Sequence, residues 1–200
     1  MKKEIRKVKQ LVECRLDGEN ATGRTITGRA VVYGDTYQLW EDCYETIMPN
    51  ALDGADMSDV VALFNHEDEM LLARSTNGQG TLTLTIDEKG LVYSFEAPNT
   101  TAGNDTLENV KLRNIQGSSF AFTVAEENWI YDQPQADGTT IDLRQIVKIA
   151  KVYDVSPVVF PAYAETDVMA EARAKYEANK PKQIDHTAEL RKQIILSKLK

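Results

Sequence analysis

Histidine and cysteine are nearly missing from this 200-residue sequence, with two of each. Cys14 and Cys43 stand in no C-x-x-C pair and beside no histidine, which leaves a zinc site or a disulfide framework without support. A reducing cytosol is the simplest setting. No run approaches the roughly 18 to 20 apolar residues that a membrane-spanning helix needs. The opening MKKEIRKVKQ is charged with no apolar stretch behind it, so neither a membrane protein nor a Sec-secreted one is expected. Internal repeats and low-complexity tracts are absent as well. What remains, 42% apolar and 27% charged side chains, suits one globular domain with extensions.

The formal net charge of −8 is unevenly spread. Residues 1–15 carry six basic and two acidic side chains, and residues 165–200 carry eight and six, so the body between them is strongly acidic. Such a body repels nucleic acid, whose phosphates require clustered Lys and Arg. Three segments follow from this and from the patterning below: a basic extension over 1–24, a β-rich domain over 25–164, and a tail over 165–200.

From Thr25 to about Phe160 the chain is a series of short runs rich in Val, Ile, Thr, Tyr and Phe, separated by Gly, Asn and Asp. Strands are predicted over 25–33, 44–48, 59–64, 80–86, 90–96, 118–124, 141–149 and 151–160. The alternation in TLTLTI and LVYSFE, joined by Asp87-Glu88-Lys89-Gly90, predicts a hairpin with one buried face. DTLENVKLRN predicts a helix capped by Asn104 or Asp105, with Leu107, Val110 and Leu112 near one face. After Pro161, ETDVMAEARAKYEANK and HTAELRKQIILSKLK predict two tail helices hinged at Pro181, with Leu190, Ile194, Ile195, Leu196 and Leu199 as an apolar set.

Three places could carry chemistry. His66 follows an apolar strand in VVALFNHEDEMLLARS, at a strand-to-loop junction where a rigid scaffold presents side chains; a half-buried structural histidine is the competing reading. His186 lies in the polar stretch IDHTAEL and reads as a helix-entry residue. In NIQGSSFAF, Gly117 allows a close turn and Ser118 and Ser119 open a strand, so one hydroxyl must point inward and the other outward. In VYDVSPVVF, Asp154 sits in an apolar strand, which costs free energy unless something pairs with it. An imidazole is one suitable partner.

The order TITGRAVVYGD, YETIMPNAL, VVALFNHEDEMLLARS, GTLTLTIDEKGLVYSFEAPNT, IQGSSFAFTV and VYDVSPVVFPAYAETDV resembles the tailed-phage prohead (capsid maturation) serine proteases, from about Thr25 to Val168. Pro49-Asn50-Ala51-Leu52 stands where that family has Pro-Gly-Ala-Phe, and Ser119-Phe120-Ala121-Phe122 where it has Ser-Phe-Gly-Phe. The resemblance implies a fold related to herpesvirus assemblin: mainly β with peripheral helices, a closed or nearly closed β-barrel, here followed by a helical C-terminal tail. It implies Ser119 as nucleophile and His66 as general base. Assemblin's third member is a histidine, but the only other one here is in the tail, so a carboxylate is the expected orienter, and the resemblance places Asp154 at the acidic position of the family's apolar strand block. Oxyanion donors are not named by the sequence; Arg74 and backbone N–H groups next to Ser119 or near Ser156 are open candidates.

The implied activity is a serine endopeptidase that removes the scaffolding segment of the major capsid protein and cuts itself, inside the immature capsid in the bacterial host cytoplasm. No cofactor, metal, nucleic acid or membrane partner is expected, and a homo-oligomer is left open. Two readings compete: a catalytically inactive capsid-assembly or scaffold protein with the same barrel, and a β-barrel binding module unrelated to proteolysis.

Overall fold

A computed structural model describes residues 3–8, 13–15, 23–160, 173–174 and 176–181. Among the described residues up to Phe160, twelve strands and one helix follow in chain order: β1 (Glu4–Val8), β2 (Glu13–Arg15), β3 (Thr25–Val32), β4 (Thr36–Trp40), β5 (Cys43–Ile47), β6 (Asp59–Leu63), β7 (Leu71–Thr76), β8 (Gln79–Gly80), β9 (Leu82–Asp87), β10 (Gly90–Glu96), α1 (Thr101–Lys111), β11 (Gly117–Pro134) and β12 (Thr140–Val158).

The strands form two sheets. One runs β1-β11-β12-β6-β7-β8, with β5 added parallel to β12 and β4 on β5; the other runs β2-β3-β10-β9. This corrects the expected closed or nearly closed barrel. The path from β1 to β8 does not return on itself, and the second sheet is a separate four-strand layer. Alternation in the sequence specifies a buried face for each strand but says nothing about whether the outer strands meet.

The layers share one core. Ile26, Val31, Leu91, Tyr93 and Phe95 of the smaller sheet pack with Phe120, Phe122, Val152 and Val155 of the larger one. Phe120 and Phe122 stack at 4.5 Å between ring centroids and are fully buried. The β9–β10 hairpin has the predicted alternation, pairing Leu91 with Ile86, Tyr93 with Leu84 and Phe95 with Leu82.

The helix differs from expectation at both ends. Thr100 is its N-cap, accepting from the Gly103 N–H at 3.1 Å, and not Asn104 or Asp105. A Cβ on Gly103 would meet the Pro98 carbonyl oxygen at 2.1 Å, so glycine is what lets the chain enter the helix about one helical turn before the expected cap. Leu107 and Val110 are buried, but Leu112 is the C-cap and is 69% exposed.

The helical tail is corrected too. Among the described residues beyond Phe160, helix is confined to 173–174 and 176–179. The Tyr176 ring sits 5.4 Å from Trp40 and 5.5 Å from Trp129, and Lys180 Nζ donates to Asp142 Oδ2 at 2.7 Å. This short segment therefore docks on the extended arms of β11 and β12. The second predicted helix, with its apolar set from Leu190 to Leu199, lies outside the described residues, as does His186. Among the described residues, no helix is long and apolar enough to cross a membrane.

Candidate active site

Three neighbouring strands deliver the site. Ser119 lies on β11 directly opposite Ser156 on the antiparallel β12, and Asp154 of β12 lies opposite Val61 of the parallel β6. Because β6 and β12 run the same way, the chain leaving β6 passes the end of β12. There the Asn65 N–H donates to the Pro157 carbonyl at 3.1 Å, and the Val159 N–H donates to Asn65 Oδ1 at 3.1 Å. His66 follows at once. Asn65 and His66 both have positive φ, 52° and 65°. Asparagine and histidine are among the non-glycine side chains that enter that region most readily, and the bonds around Asn65 hold the turn there.

The three side chains singled out in the sequence come together. His66 Nε2 is 2.6 Å from Ser119 Oγ, and His66 Nδ1 is 2.5 Å from Asp154 Oδ1. Asp154 and Ser119 are fully buried, while the His66 side chain keeps 11% exposure. Burial pushes the Asp154 carboxyl toward higher pKa, but its hydrogen bond with His66 and its ion pair with Lys3 outweigh it and hold the group below the ordinary range. An ionised carboxylate can only accept, so the proton between them belongs to Nδ1. That leaves Nε2 as the acceptor facing the serine hydroxyl.

Ser118 points the other way. Its hydroxyl donates to Tyr93 Oη at 2.9 Å in the core between the sheets. Alternation separates the two serines as expected, but neither faces solvent, because both are fully buried. Arg74 is not at the site; it forms a bidentate pair with Asp59 on the surface, at 2.7 Å and 2.5 Å.

The structure adds groups that the sequence reading passed over. Ser156 Oγ donates to Asp154 Oδ1 at 3.0 Å, and Lys3 Nζ forms a 3.0 Å ion pair with Asp154 Oδ2. Beside them lies a buried charge network. Arg144 and Glu45 are fully buried and joined at 2.8 Å, and Glu4 and Arg6 of β1 close the cluster. The argument that singled out Asp154, a charge in an apolar strand needing a partner, applies equally to Glu45 in CYETI and Arg144 in IDLRQI. Nothing local in EIRKV marks it as their partner.

A buried hydroxyl, an imidazole with a free acceptor nitrogen and a carboxylate fixing the tautomer form the constellation for nucleophilic acyl transfer. No curated protein and no solved structure matches the chain. The profile of the caudovirus prohead serine proteases matches residues 10–181, most of the sequence. The chain belongs to that family of serine peptidases.

Proposed function

We propose that this prohead serine protease acts inside the immature capsid as the endopeptidase that removes the scaffolding segment of the major capsid protein and cuts its own chain, with Ser119, His66 and Asp154 as its catalytic residues. The observation that carries the reading is the unbroken line of contacts from Ser119 Oγ through both ring nitrogens of His66 to Asp154 Oδ1, at 2.6 Å and 2.5 Å.

In this mechanism Ser119 Oγ attacks the scissile carbonyl while its proton passes to His66 Nε2. The resulting imidazolium is stabilised by Asp154, whose Oδ1 also accepts from Ser156. The oxyanion needs preorganised N–H donors, each worth about 3 to 4 kcal/mol in serine proteases. As the tetrahedral intermediate collapses, the imidazolium returns the proton to the departing amine. Water then attacks the acyl-enzyme with His66 again as base, and the serine is released.

Co-expression with the major capsid protein tests the assignment. Ser119→Ala and His66→Ala should each leave the capsid protein at full length while the chain stays folded, since neither removes much core volume. Processing that continues in both variants would remove these residues from the mechanism.

A further inference from the structure

The strand β1 lies against the nucleophile. It pairs antiparallel with β11, Lys7 opposite Ser119 and Arg6 opposite Phe120, and it forms the end of the sheet path, so without it β11 would be an open edge. The Arg6 carbonyl oxygen sits 2.9 Å from Ser119 Oγ. One hydroxyl proton is therefore shared between two acceptors, Arg6 O and His66 Nε2. An extended peptide added to a free strand edge, its carbonyl beside the serine, is how a protease presents a substrate backbone. The residues of β1 also precede the family match, which begins at residue 10.

The side chains of β1 are held as a peptide's would be in a built pocket. Arg6 forms a bidentate pair with the fully buried Glu45, Nε to Oε1 at 2.5 Å and Nη2 to Oε2 at 2.8 Å. Two residues earlier on the same strand face, Glu4 meets Arg144, Oε2 to Nη1 at 2.7 Å and Oε1 to Nη2 at 2.9 Å. Glu45 and Arg144 also pair with each other at 2.8 Å. Arg144 also pairs with Glu127. Glu4 and Arg6 together bring no net charge, so the balance of this cluster is the same with the strand in place or replaced by a peptide of like pattern. A peptide with these charges reversed would face Glu45 with an anion and Arg144 with a cation.

We propose that β1 occupies the substrate groove, and that Glu45 and Arg144 are its specificity-determining residues: they select a peptide with an acidic residue, any residue, and then a basic residue whose carbonyl faces Ser119. This rests on the assignment of Ser119 as nucleophile and names the substrate class for it. The strand must leave the edge of β11 before a capsid segment can enter.

The test follows modification of Ser119 in the full chain by a fluorophosphonate, read by intact mass. Arg6→Glu, and Arg6→Gln as the milder change, free the edge, and labelling should rise roughly 30-fold, the scale of losing one partner of a buried charge pair. A merely structural β1 would give unchanged or lower labelling, which overturns the proposal. In Arg6→Gln, the peptide aldehyde acetyl-Glu-Ile-Arg-H should protect Ser119 at concentrations about 30-fold below acetyl-Arg-Ile-Glu-H, and Glu45→Gln should erase most of that difference. Equal protection by the two aldehydes also overturns it. Either result, with capsid processing in co-expression still dependent on Ser119, sinks this proposal alone. A Ser119 that is never modified, in a chain whose Ser119→Ala variant still processes capsid protein, sinks the catalytic assignment with it.

Discussion

Replacing Asp154 by Asn gives the sharpest test of how the site works, because it changes one atom and leaves the packing intact. In the transition state the imidazolium faces the carboxylate across 2.5 Å from Nδ1 to Oδ1. With the ring charge spread, the charge centres lie about 4 Å apart, and at an effective dielectric constant near 20 the attraction is about 4 kcal/mol. Losing it corresponds to roughly a thousandfold in rate. The tautomer is a second loss wherever the amide nitrogen of Asn faces His66 Nδ1: an N–H donor there places the ring proton on Nε2, pointing at Ser119, where no base is then available. The expected loss is roughly 10³- to 10⁴-fold, at or short of the loss from Ser119→Ala. A time course of capsid-protein cleavage in co-expression measures it, with Ser119→Ala as the floor and a thermal melt as the check on folding. Processing within tenfold of the unsubstituted chain would refute the role given to Asp154.

Three further outcomes are expected. Ser118→Ala should lower stability by about 1 to 2 kcal/mol by stranding the Tyr93 hydroxyl in the core, yet leave fluorophosphonate labelling of Ser119 intact; lost labelling with unchanged stability would reverse the two serines. Tyr176→Ala should cost about 2 to 4 kcal/mol in denaturant unfolding, because the ring packs against Trp40, Trp129 and Tyr131; an unchanged midpoint would mean that the 173–181 segment is not docked in solution. Acid should destabilise the protein in a definite window. Burial raises the carboxyls of Asp154, Glu4 and Asp142, but their hydrogen-bond donors and cationic partners (His66 and Lys3; Arg144 and Arg6; Lys180, Tyr176 and the Asp132 N–H) outweigh it and hold all three below the ordinary range. The unfolded chain binds protons first, so their contribution is full above about pH 5 and is lost as pH falls through 4 and below. Denaturant midpoints that stay level from pH 6 to pH 3 would contradict this.

The parts of the fold that were legible in the sequence are those written in local pattern. TLTLTI and LVYSFE alternate with period two around a turn ending in Gly90, and β9 and β10 form that hairpin. His66, Ser119 and Asp154 were each visible as a residue out of place in its neighbourhood, or through the block order shared with the family. The helix start was misread because Asn104 and Asp105 are good caps by type, whereas Thr100 has the cap geometry and Gly103 the freedom to approach Pro98. The outer arm of β11 was cut short at 124 because its side chains from Val124 to Pro134 are exposed or only partly buried, whereas the partner arm of β12, with Asp142, Arg144 and Ile146 buried in alternation, was placed within one residue of its start at Thr140. Their register pairs, such as Trp129 with Arg144, form across a separation that no local window spans.

By itself the sequence determined that the body is β and where the apolar faces lie, and its resemblance to the family pointed to His66, Ser119 and Asp154 as the residues proposed for acyl transfer. Only the tertiary structure decided that the strands make two open sheets and not a barrel, since closure depends on which outer strands meet and not on the pattern within any one of them. The same holds for EIRKV. As a sequence it is a basic, solvated end; as β1 it buries Glu4 and Arg6 against Glu45 and Arg144 and brings a carbonyl to Ser119. A charge is tolerated in the interior only when an opposite charge is already there, and that condition is set by residues 39 and 140 positions away along the chain.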